Sequence, residues 1–172
     1  MERKMTRRSN GFSGVTADDE RTAEDDLWPT AFGAWIKVGV VYQKTSRHLA
    51  SRLRPLDLTV AQFDALANLY NDTGLTQQEL ARRLLVTKGN MTGLVGRLVE
   101  RGWVRKRVDP RDGRAVRLAL TSPGRKRTKK ALLVQRELIG EMMHALRPGD
   151  VERLRAQLTR VERRIDAIAD GR

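Results

Sequence analysis

Apolar side chains recur at helical spacing along most of the chain and alternate strictly in one short stretch. A first helix, over about residues 30 to 54, is predicted from a set of apolar positions at roughly helical intervals: Trp35, Val38, Tyr42, Leu49 and Leu53. Pro29 suits its first turn, and Pro55 ends it because the residue before a proline disfavours helical backbone. This part of the chain is therefore predicted to be one long helix.

Two shorter helices are predicted next from their capping residues. Thr59 can cap a helix over residues 60–70, whose apolar face ends at the Asn-Asp-Thr-Gly sequence of residues 71–74. Thr76 and Glu79 match a capping box, in which each side chain satisfies a free amide at the helix start. The third helix therefore begins at residue 76 and has room for two turns.

A fourth helix and a β-hairpin follow. Thr87 can cap the helix, and Gly102 lies where a left-handed terminating residue is expected. Residues 103–108 and 115–120 alternate with period two, and residues 109–114 between them contain a proline and a glycine. Two short helices, a tight turn and a basic hairpin predict a winged helix-turn-helix within a mainly α-helical fold.

Two more helices are predicted after the hairpin. The fifth begins at Thr121 or Ser122 with Pro123, and the sixth begins at Pro148. Apolar residues in the sixth helix recur at alternating steps of three and four: Val151, Leu154, Leu158, Val161, Ile165 and Ile168. This seam can close on the first or fifth helix of its own chain. We favour a two-chain bundle, so we predict a homodimer with the first five seam residues in its interface.

Positive charge is concentrated in the middle of the chain. The 172 residues carry a formal net charge of +13. Residues 76–130 contain 16 basic and 4 acidic residues, so this block alone contributes +12. A localised excess of this kind is typical of a nucleic-acid surface and, less often, of a contact with an anionic membrane.

The residue types that metal, redox and enzymatic sites need are missing or scattered. The sequence has no cysteine, which excludes disulfides and thiolate ligands. His48 and His144 are the two histidines and have no neighbouring ligand pattern, so we expect no metal and no cofactor. We find no nucleophile and base pair, no phosphate loop and no paired carboxylates, so we do not expect an enzyme.

The chain also divides by composition. Residues 1–27 are predicted to be a flexible arm, whose acidic cluster is solvated, shields the basic block or caps an early helix. Residues 28–172 then form a single domain, with dimerisation helices at about 28–56 and 122–170 and the winged helix-turn-helix at about 57–121. We see no apolar run near the roughly 18 residues of a membrane span and no secretory signal, so we expect a cytoplasmic protein.

These elements and their residues resemble the MarR (multiple antibiotic resistance regulator) family of bacterial repressors. The resemblance runs from about Trp28 to Ala169 and rests mainly on residues 75–84, 86–92 and 109–115, the last leading into Leu120-Thr121 and Gly124. It implies a dimer joined through its terminal helices, recognition helices in two major-groove segments and a wing in the adjacent minor groove. Many members release DNA when a small aromatic acid or phenol binds. We therefore expect a sequence-specific regulator, a repressor released by such a ligand, that binds a near-palindromic operator; the alternative is a non-specific architectural DNA-binding protein.

The predicted base-reading contacts lie on the fourth helix. Its N terminus offers free amides to phosphate, and four polar residues cluster in its first turns: Thr87, Lys88, Asn90 and Thr92. Asn90 and Thr92 are the best candidates for reading bases. Arg97, farther along, either clamps a phosphate or pairs with an acidic side chain of its own chain.

Further contacts are predicted in the hairpin. Four cations there suit the narrow, electronegative minor groove, although each alone can be a solvated surface charge: Lys106, Arg107, Arg111 and Arg114. We expect Asp112 to hold Arg114 in place.

Glycines distinguish the fourth helix from its relatives. Gly93 stands where recognition helices of the family often carry arginine, so base preferences are not transferred from them. Gly89, Gly93 and Gly96 each cost up to about 1 kcal/mol of helix stability relative to alanine. Either the helix stays soft until DNA orders it, or a glycine permits close backbone packing.

For an organic effector, the candidates lie on the first two helices: Trp28, Trp35, Tyr42, His48 and Asp64. Trp35 and Tyr42 are seven residues apart and share a helix face, where packing in a core is the competing role. Asp64 lies on an otherwise apolar helix, so it suits either a polar ligand contact or an interhelical salt bridge.

Overall fold

The computed structural model describes residues 23–109 and 116–171, which contain six α-helices and one two-stranded antiparallel sheet. In chain order the elements are α1 (Ala23–Leu53), α2 (Val60–Asn71), α3 (Gln77–Arg83), α4 (Lys88–Glu100), β1 (Val104–Val108), β2 (Val116–Leu120), α5 (Ser122–Met143) and α6 (Pro148–Ala169). A short 3-10 turn, Arg54–Leu56, connects α1 to α2. The predicted fold class, mainly α with a hairpin wing, is confirmed.

The chain separates into two compact units, one ending at Gln43 and one beginning at Lys44. The described part of the first unit is the N-terminal two thirds of α1. The second unit contains the end of α1, the winged helix-turn-helix, α5 and α6. The division into an arm and a single domain, proposed from composition, stays a prediction.

The start of α1 differs from the prediction. The helix begins at Ala23 and continues through Pro29, whereas the sequence pattern indicated a start at about residue 30. Proline lacks an N–H, so inside a helix it removes one hydrogen bond and bends the helix without always ending it. The six residues before Pro29 contain no glycine, no further proline and no β-branched residue, so the strongest helix-breaking residues are missing from this segment. The rest of the predicted arm, residues 1–22, lies outside the described residues.

The caps of α2 and α3 agree with the prediction. The Thr59 hydroxyl accepts a hydrogen bond from the Gln62 backbone N–H at 3.2 Å, and the Thr59 backbone N–H donates to Oε1 of Gln62 at 3.0 Å. Thr76 and Glu79 form the predicted capping box, and the Thr76 N–H donates to the Glu79 carboxylate at 2.7 Å. Side chains within three residues of each helix start therefore determine where these two helices begin.

The hairpin begins directly after α4. Gly102 is left-handed, with φ of 66°, as predicted for the residue that ends the helix. Val104 pairs with Leu120 at the base of the hairpin and Val108 pairs with Val116 toward its tip. Residues 110–115, which join the two strands, lie outside the described residues.

A single apolar core holds the second unit together. Its fully buried side chains come from the end of α1, from α2, α3, α4 and α5, and from the hairpin. The largest of them are Leu53, Phe63, Leu66, Leu69, Leu80, Met91, Leu98 and Leu118. Leu49 and Leu53, the last apolar positions predicted for the first helix, belong to this core. The helix-turn-helix therefore cannot move independently of the hairpin and α5, because their buried side chains pack in the same core.

The apolar seam of α6 is exposed in the single chain. No residue of α6 is buried, and Leu158, Val161 and Ile165 are 45%, 55% and 54% exposed. The alternative in which α5 covers this seam within the same chain is therefore not found. Within the described ranges, no helix combines the length and the apolar character needed to cross a membrane.

Candidate nucleic-acid interface

Helix α4 has a buried face and a polar face. Its buried side chains are Met91, Leu94, Val95 and Leu98, which anchor it in the core. Every α4 position predicted to contact DNA is exposed, including the N-cap residue: Thr87, Lys88, Asn90, Thr92 and Arg97. The helical period separates the two sets, so the core holds α4 with its polar face toward solvent.

Two hydroxyls on this face already have partners. The Thr87 hydroxyl accepts a hydrogen bond from the Asn90 backbone N–H at 3.3 Å, which caps the helix. The Thr92 hydroxyl donates to the Lys88 carbonyl at 2.9 Å and accepts from Nε2 of Gln77 at 2.7 Å. Thr92 therefore retains little capacity for another ligand, and Gln77 stands beside it as a polar group that the sequence interpretation missed.

Three side chains on the polar face have no partner among the residues that the structure describes. Lys88, Asn90 and Arg97 are exposed and make no side-chain hydrogen bond or ion pair with any residue that the structure describes. Of the two roles considered for Arg97, the internal pair with an acidic side chain is not formed in this part of the chain. These three side chains can bind an external ligand without first breaking a contact.

The glycines of α4 are not explained by close packing within the chain. A Cβ placed on Gly89 or Gly96 would meet no atom within 4 Å, and one on Gly93 would meet Nη1 of Arg97 at 3.5 Å. Each of these positions has room for a methyl group. Close packing against the described residues therefore does not account for the three glycines, which leaves the explanation that α4 has low intrinsic stability until DNA orders it.

The hairpin carries exposed cations on both faces. Lys106 and Arg107 are exposed, and Arg107 lies directly opposite Arg117 in the strand register. Two like charges in this position repel each other. Asp109 offsets the repulsion, because an oxygen of its carboxylate lies 2.5 Å from Nε of Arg117. The Asp109 side chain is only 6% exposed. The predicted contacts Arg111 and Arg114, like Asp112, lie outside the described residues.

Arg117 also attaches the hairpin to the helix-turn-helix. Its Nη1 donates to the carbonyl of Gly74 at 2.8 Å, and the next backbone N–H, from Leu118, donates to the carbonyl of Leu75 at the same distance. Gly74 adopts φ of 90°, a left-handed conformation that favours glycine. This role of Arg117 is not predicted from the sequence, because its partner Gly74 is 43 residues away and no local pattern indicates the contact.

Nearby hydrogen bonds and positive charges also affect Glu79 at the start of α3. Hydrogen bonds from the Thr76 backbone and hydroxyl hold the pKa of Glu79 below its usual value, and the positive charges of Arg117 and Arg82 lower it further. The carboxylate is therefore ionised at neutral pH and stabilises the N terminus of α3.

A second cluster of cations surrounds Trp103 at the base of the hairpin. The guanidinium of Arg101 lies 4.8 Å from the centre of the indole and that of Arg127 lies 4.4 Å from it. Arg101 pairs with Asp57 at 2.6 Å, and Arg127 donates to the carbonyl of Leu56. The cluster therefore joins the end of α4 and the start of α5 to the turn before α2, another arrangement that the sequence did not predict.

The effector candidates of the first unit lie along α1. Trp28, Trp35 and Tyr42 are 67%, 66% and 72% exposed, so the packed-core role considered for Trp35 and Tyr42 is not found. Trp28 stacks on Phe32 with ring centres 5.8 Å apart. The three candidates present aromatic surface along the helix.

The two candidates of the second unit differ in burial. His48 is exposed on α1, whereas Asp64 is half-buried on α2, and burial raises the pKa of its carboxyl. Asp64 forms no ion pair with a residue in the described ranges, so the interhelical salt bridge considered for it is not formed there. Among those same residues, no group of three or more histidine, aspartate or glutamate side chains could hold a metal ion.

The capped helices α3 and α4, the antiparallel hairpin and the core they share define a winged helix-turn-helix protein. The MarR family model matches residues 56–115. MarR of Escherichia coli is 36% identical over 108 residues, which cover 62% of this chain and 72% of that protein. MarR of Salmonella typhimurium is also 36% identical, over 49% of this chain and 59% of its own length. The chain belongs to the MarR family, so the resemblance stated from sequence is confirmed.

Solved structures agree with this assignment. Wild-type E. coli MarR in its apo form is 34% identical, with a TM-score of 0.63, and the match covers 72% of this chain and 93% of that one. A mutant of E. coli MarR complexed with operator DNA is 32% identical, with a TM-score of 0.70 over 78% and 97% of the two chains. A Methanosarcina mazei regulator at 21% identity and a TM-score of 0.71 supports the fold alone. Since the family consists of transcriptional regulators, the expectation that the chain is not an enzyme is confirmed.

Proposed function

We propose that the chain is a sequence-specific transcriptional regulator that binds duplex DNA as a homodimer and acts in the cytoplasm. The polar face of α4 enters the major groove, and the hairpin reaches toward the adjacent minor groove. The relative of 32% identity whose structure contains operator DNA supports DNA as the partner. Lys88, Asn90 and Arg97 on α4 and Lys106 and Arg107 on β1 are the proposed contacts within the described residues, with Arg111 and Arg114 proposed at the hairpin tip.

One observation carries this proposal: the exposed face of α4, a helix anchored in the core, bears polar side chains that have no partner among the described residues. Four apolar side chains bury the opposite face of α4. Asn90 can donate and accept at the same time, which is the bidentate pattern that reads adenine in the major groove. Lys88 lies in the first turn, where a cation opposes the helix dipole unless a phosphate neutralises it.

The homodimer rests on the exposed seam of α6. Val151, Leu154, Leu158, Val161 and Ile165 form an apolar stripe at heptad spacing, in which none of the five is buried and all but Val151 are exposed. A two-fold dimer built on this stripe presents two copies of α4, so its operator is near-palindromic, with half-site centres about 10 base pairs apart.

We further propose that the protein is a repressor released by a small aromatic or phenolic ligand. Trp28, Trp35 and Tyr42 offer exposed aromatic surface, whereas His48 and Asp64 offer polar groups. Benzoate and phenol are suitable probes, with tryptophan fluorescence reporting binding and a mobility shift reporting release of DNA. Each candidate is tested by its own substitution, Tyr42→Phe and Asp64→Asn among them, and unchanged release in all of them would contradict this assignment.

Selection of bound duplexes from a random library is the first test of DNA recognition. Enrichment of a near-palindromic sequence supports a regulator. Recovery of asymmetric sites only would contradict the two-fold arrangement. Competition by bulk DNA separates the architectural alternative, because a regulator prefers its site by about three orders of magnitude or more.

Two substitutions then separate base reading from phosphate binding. Asn90→Ala should reduce the preference at one symmetric pair of positions by about 1 to 3 kcal/mol each. Arg107→Ala should weaken binding to all sequences, with a slope of log affinity against log salt shallower by about one for each phosphate contact removed. Arg136→Ala, at an exposed cation of α5, is the control. A change only in salt slope for Asn90→Ala would contradict the role of α4 in base reading.

A further inference from the structure

The chain carries further basic residues after the hairpin, in addition to those that α4 and the hairpin offer for binding DNA. Residues 113–136 contain eight basic residues and no acidic residue. Of the eight, Arg117 lies on β2, and Arg114 precedes that strand in the sequence. Five others fall within the first three turns of α5: Arg125, Lys126, Arg127, Lys129 and Lys130.

This placement destabilises the helix that carries it. Positive side chains near a helix N terminus oppose the helix dipole, and the first turn of α5 contains no acidic residue that would compensate. Lys126 and Lys130 are four residues apart on one helix face, where like charges repel. A sequence selected for helix stability alone would place acidic residues here, so the cations indicate an external anion.

The two arginines are used within the chain. Arg125 lies over the ring of Tyr70 at 5.2 Å, and Arg127 lies over Trp103 and donates to the Leu56 carbonyl. These contacts fix the start of α5 against α2, the turn before it and the hairpin base.

The three lysines, in contrast, have no partner in the described part of the chain. Lys126, Lys129 and Lys130 are exposed and form no ion pair or hydrogen bond with the residues of ranges 23–109 and 116–171. Their spacing of three and four places them on one face of α5, which we call the α5 lysine face. Lys126, Arg127 and Lys130 also line a cleft of about 340 Å³ beside Leu56 and Trp103.

The α5 lysine face adjoins the base of the hairpin. The Thr121 N–H donates to the Trp103 carbonyl at 3.0 Å, and the Thr121 hydroxyl donates to that of Gly102 at 2.6 Å, so α5 starts where β1 starts. Each strand has five residues, which separate the base from the far end of the paired strands by roughly 16 Å. The lysines therefore lie beside the base of the hairpin and away from its far end, so phosphates that they bind would lie outside the segment that the tip contacts.

We propose that the α5 lysine face binds the phosphate backbone of duplex DNA flanking the operator. The inference rests on the proposed function and extends its partner beyond the segment that α4 and the hairpin contact. Lysine suits this role because it binds phosphate as a flexible point charge and needs no fixed hydrogen-bond geometry. The contact adds affinity without adding sequence preference.

The test compares two duplexes with one triple variant. The first duplex contains the selected operator alone, and the second adds about 15 base pairs of random sequence on each side, more than one helical turn. Wild type should bind the longer duplex more tightly. Lys126→Gln/Lys129→Gln/Lys130→Gln should lose that advantage, and its salt slope on the longer duplex should fall by up to about 2.7 per subunit, or 0.9 for each of three contacts.

The controls keep the outcomes separate. Arg136→Gln removes an exposed cation farther along the same helix and should bind both duplexes as wild type does. Equal wild-type affinity for the two duplexes, or an equal loss by the triple variant on both, would overturn the inference. Failure of wild type to prefer the operator over scrambled DNA of the same length would instead overturn the proposed function. Urea unfolding of the triple variant checks that the helix is intact, and we expect no loss of stability because three repelling charges are removed.

Discussion

Gly124 is where the start of α5 passes closest to the backbone of the hairpin base. A Cβ on this residue would lie 2.0 Å from the carbonyl oxygen of Trp103, 2.8 Å from its carbonyl carbon and 3.0 Å from its Cα. Since the obstructing atoms belong to the backbone, no rotamer change can relieve the contact. Gly124→Ala therefore requires α5 and the hairpin base to move apart.

The cost follows from opposing contributions. Alanine in place of glycine stabilises an unobstructed helix interior by up to about 1 kcal/mol. Overpacking typically costs about 1 to 3 kcal/mol. Separating the two segments also weakens the hydrogen bond from the Thr121 N–H to the Trp103 carbonyl, worth about 1 kcal/mol. Gly124→Ala should therefore destabilise the protein by about 1 to 3 kcal/mol.

Urea unfolding at one fixed protein concentration measures the difference, because association with a partner chain makes stability concentration-dependent. Gly140→Ala is the matched control on the same helix, since a Cβ there meets no atom within 4 Å, and it should stabilise by up to about 1 kcal/mol. Equal stability of Gly124→Ala and wild type, at an unchanged urea dependence, would refute the close approach of α5 to the hairpin.

Three further substitutions test separate features. Leu85 adopts a left-handed backbone conformation, with φ of 52°, and its side chain is 93% exposed. Leu85→Gly should therefore raise the free energy of unfolding in urea by about 1 kcal/mol, and a decrease would contradict backbone strain at this position. Leu158→Glu should dissociate or unfold the proposed dimer by burying a charge, and sedimentation showing an intact micromolar dimer would count against the α6 interface. Folding lowers the pKa of Glu79, so its carboxylate stabilises the folded protein above the ordinary glutamate pKa and loses this effect as the pH falls through the folded-state pKa. Glu79→Gln should therefore make the free energy of unfolding fall less steeply in acid, and an unchanged pH profile of stability would exclude a role for the charge in capping.

Features that depend on short-range interactions can be predicted from the amino-acid sequence. Thr59, Thr76 and Thr87 each cap a helix through an amide three residues ahead, so the starts of α2, α3 and α4 were readable from the chain. The period-two pattern gave both strands of the hairpin, and the α4 apolar pattern gave its buried face and hence its exposed polar one. Such signals need only neighbours within about one helical turn.

Which polar side chains remain available for a ligand depends instead on how the helices and the hairpin pack together. Thr92 was predicted to read bases, yet its hydroxyl is held by Gln77 from another helix. In the sequence, Arg117 cannot be distinguished from an ordinary surface cation. Its hydrogen bond to Gly74 depends on how the hairpin packs against the loop before α3. The physical reason is the same in both cases, because these hydrogen bonds join residues 15 and 43 positions apart and form only once the core has brought their elements together.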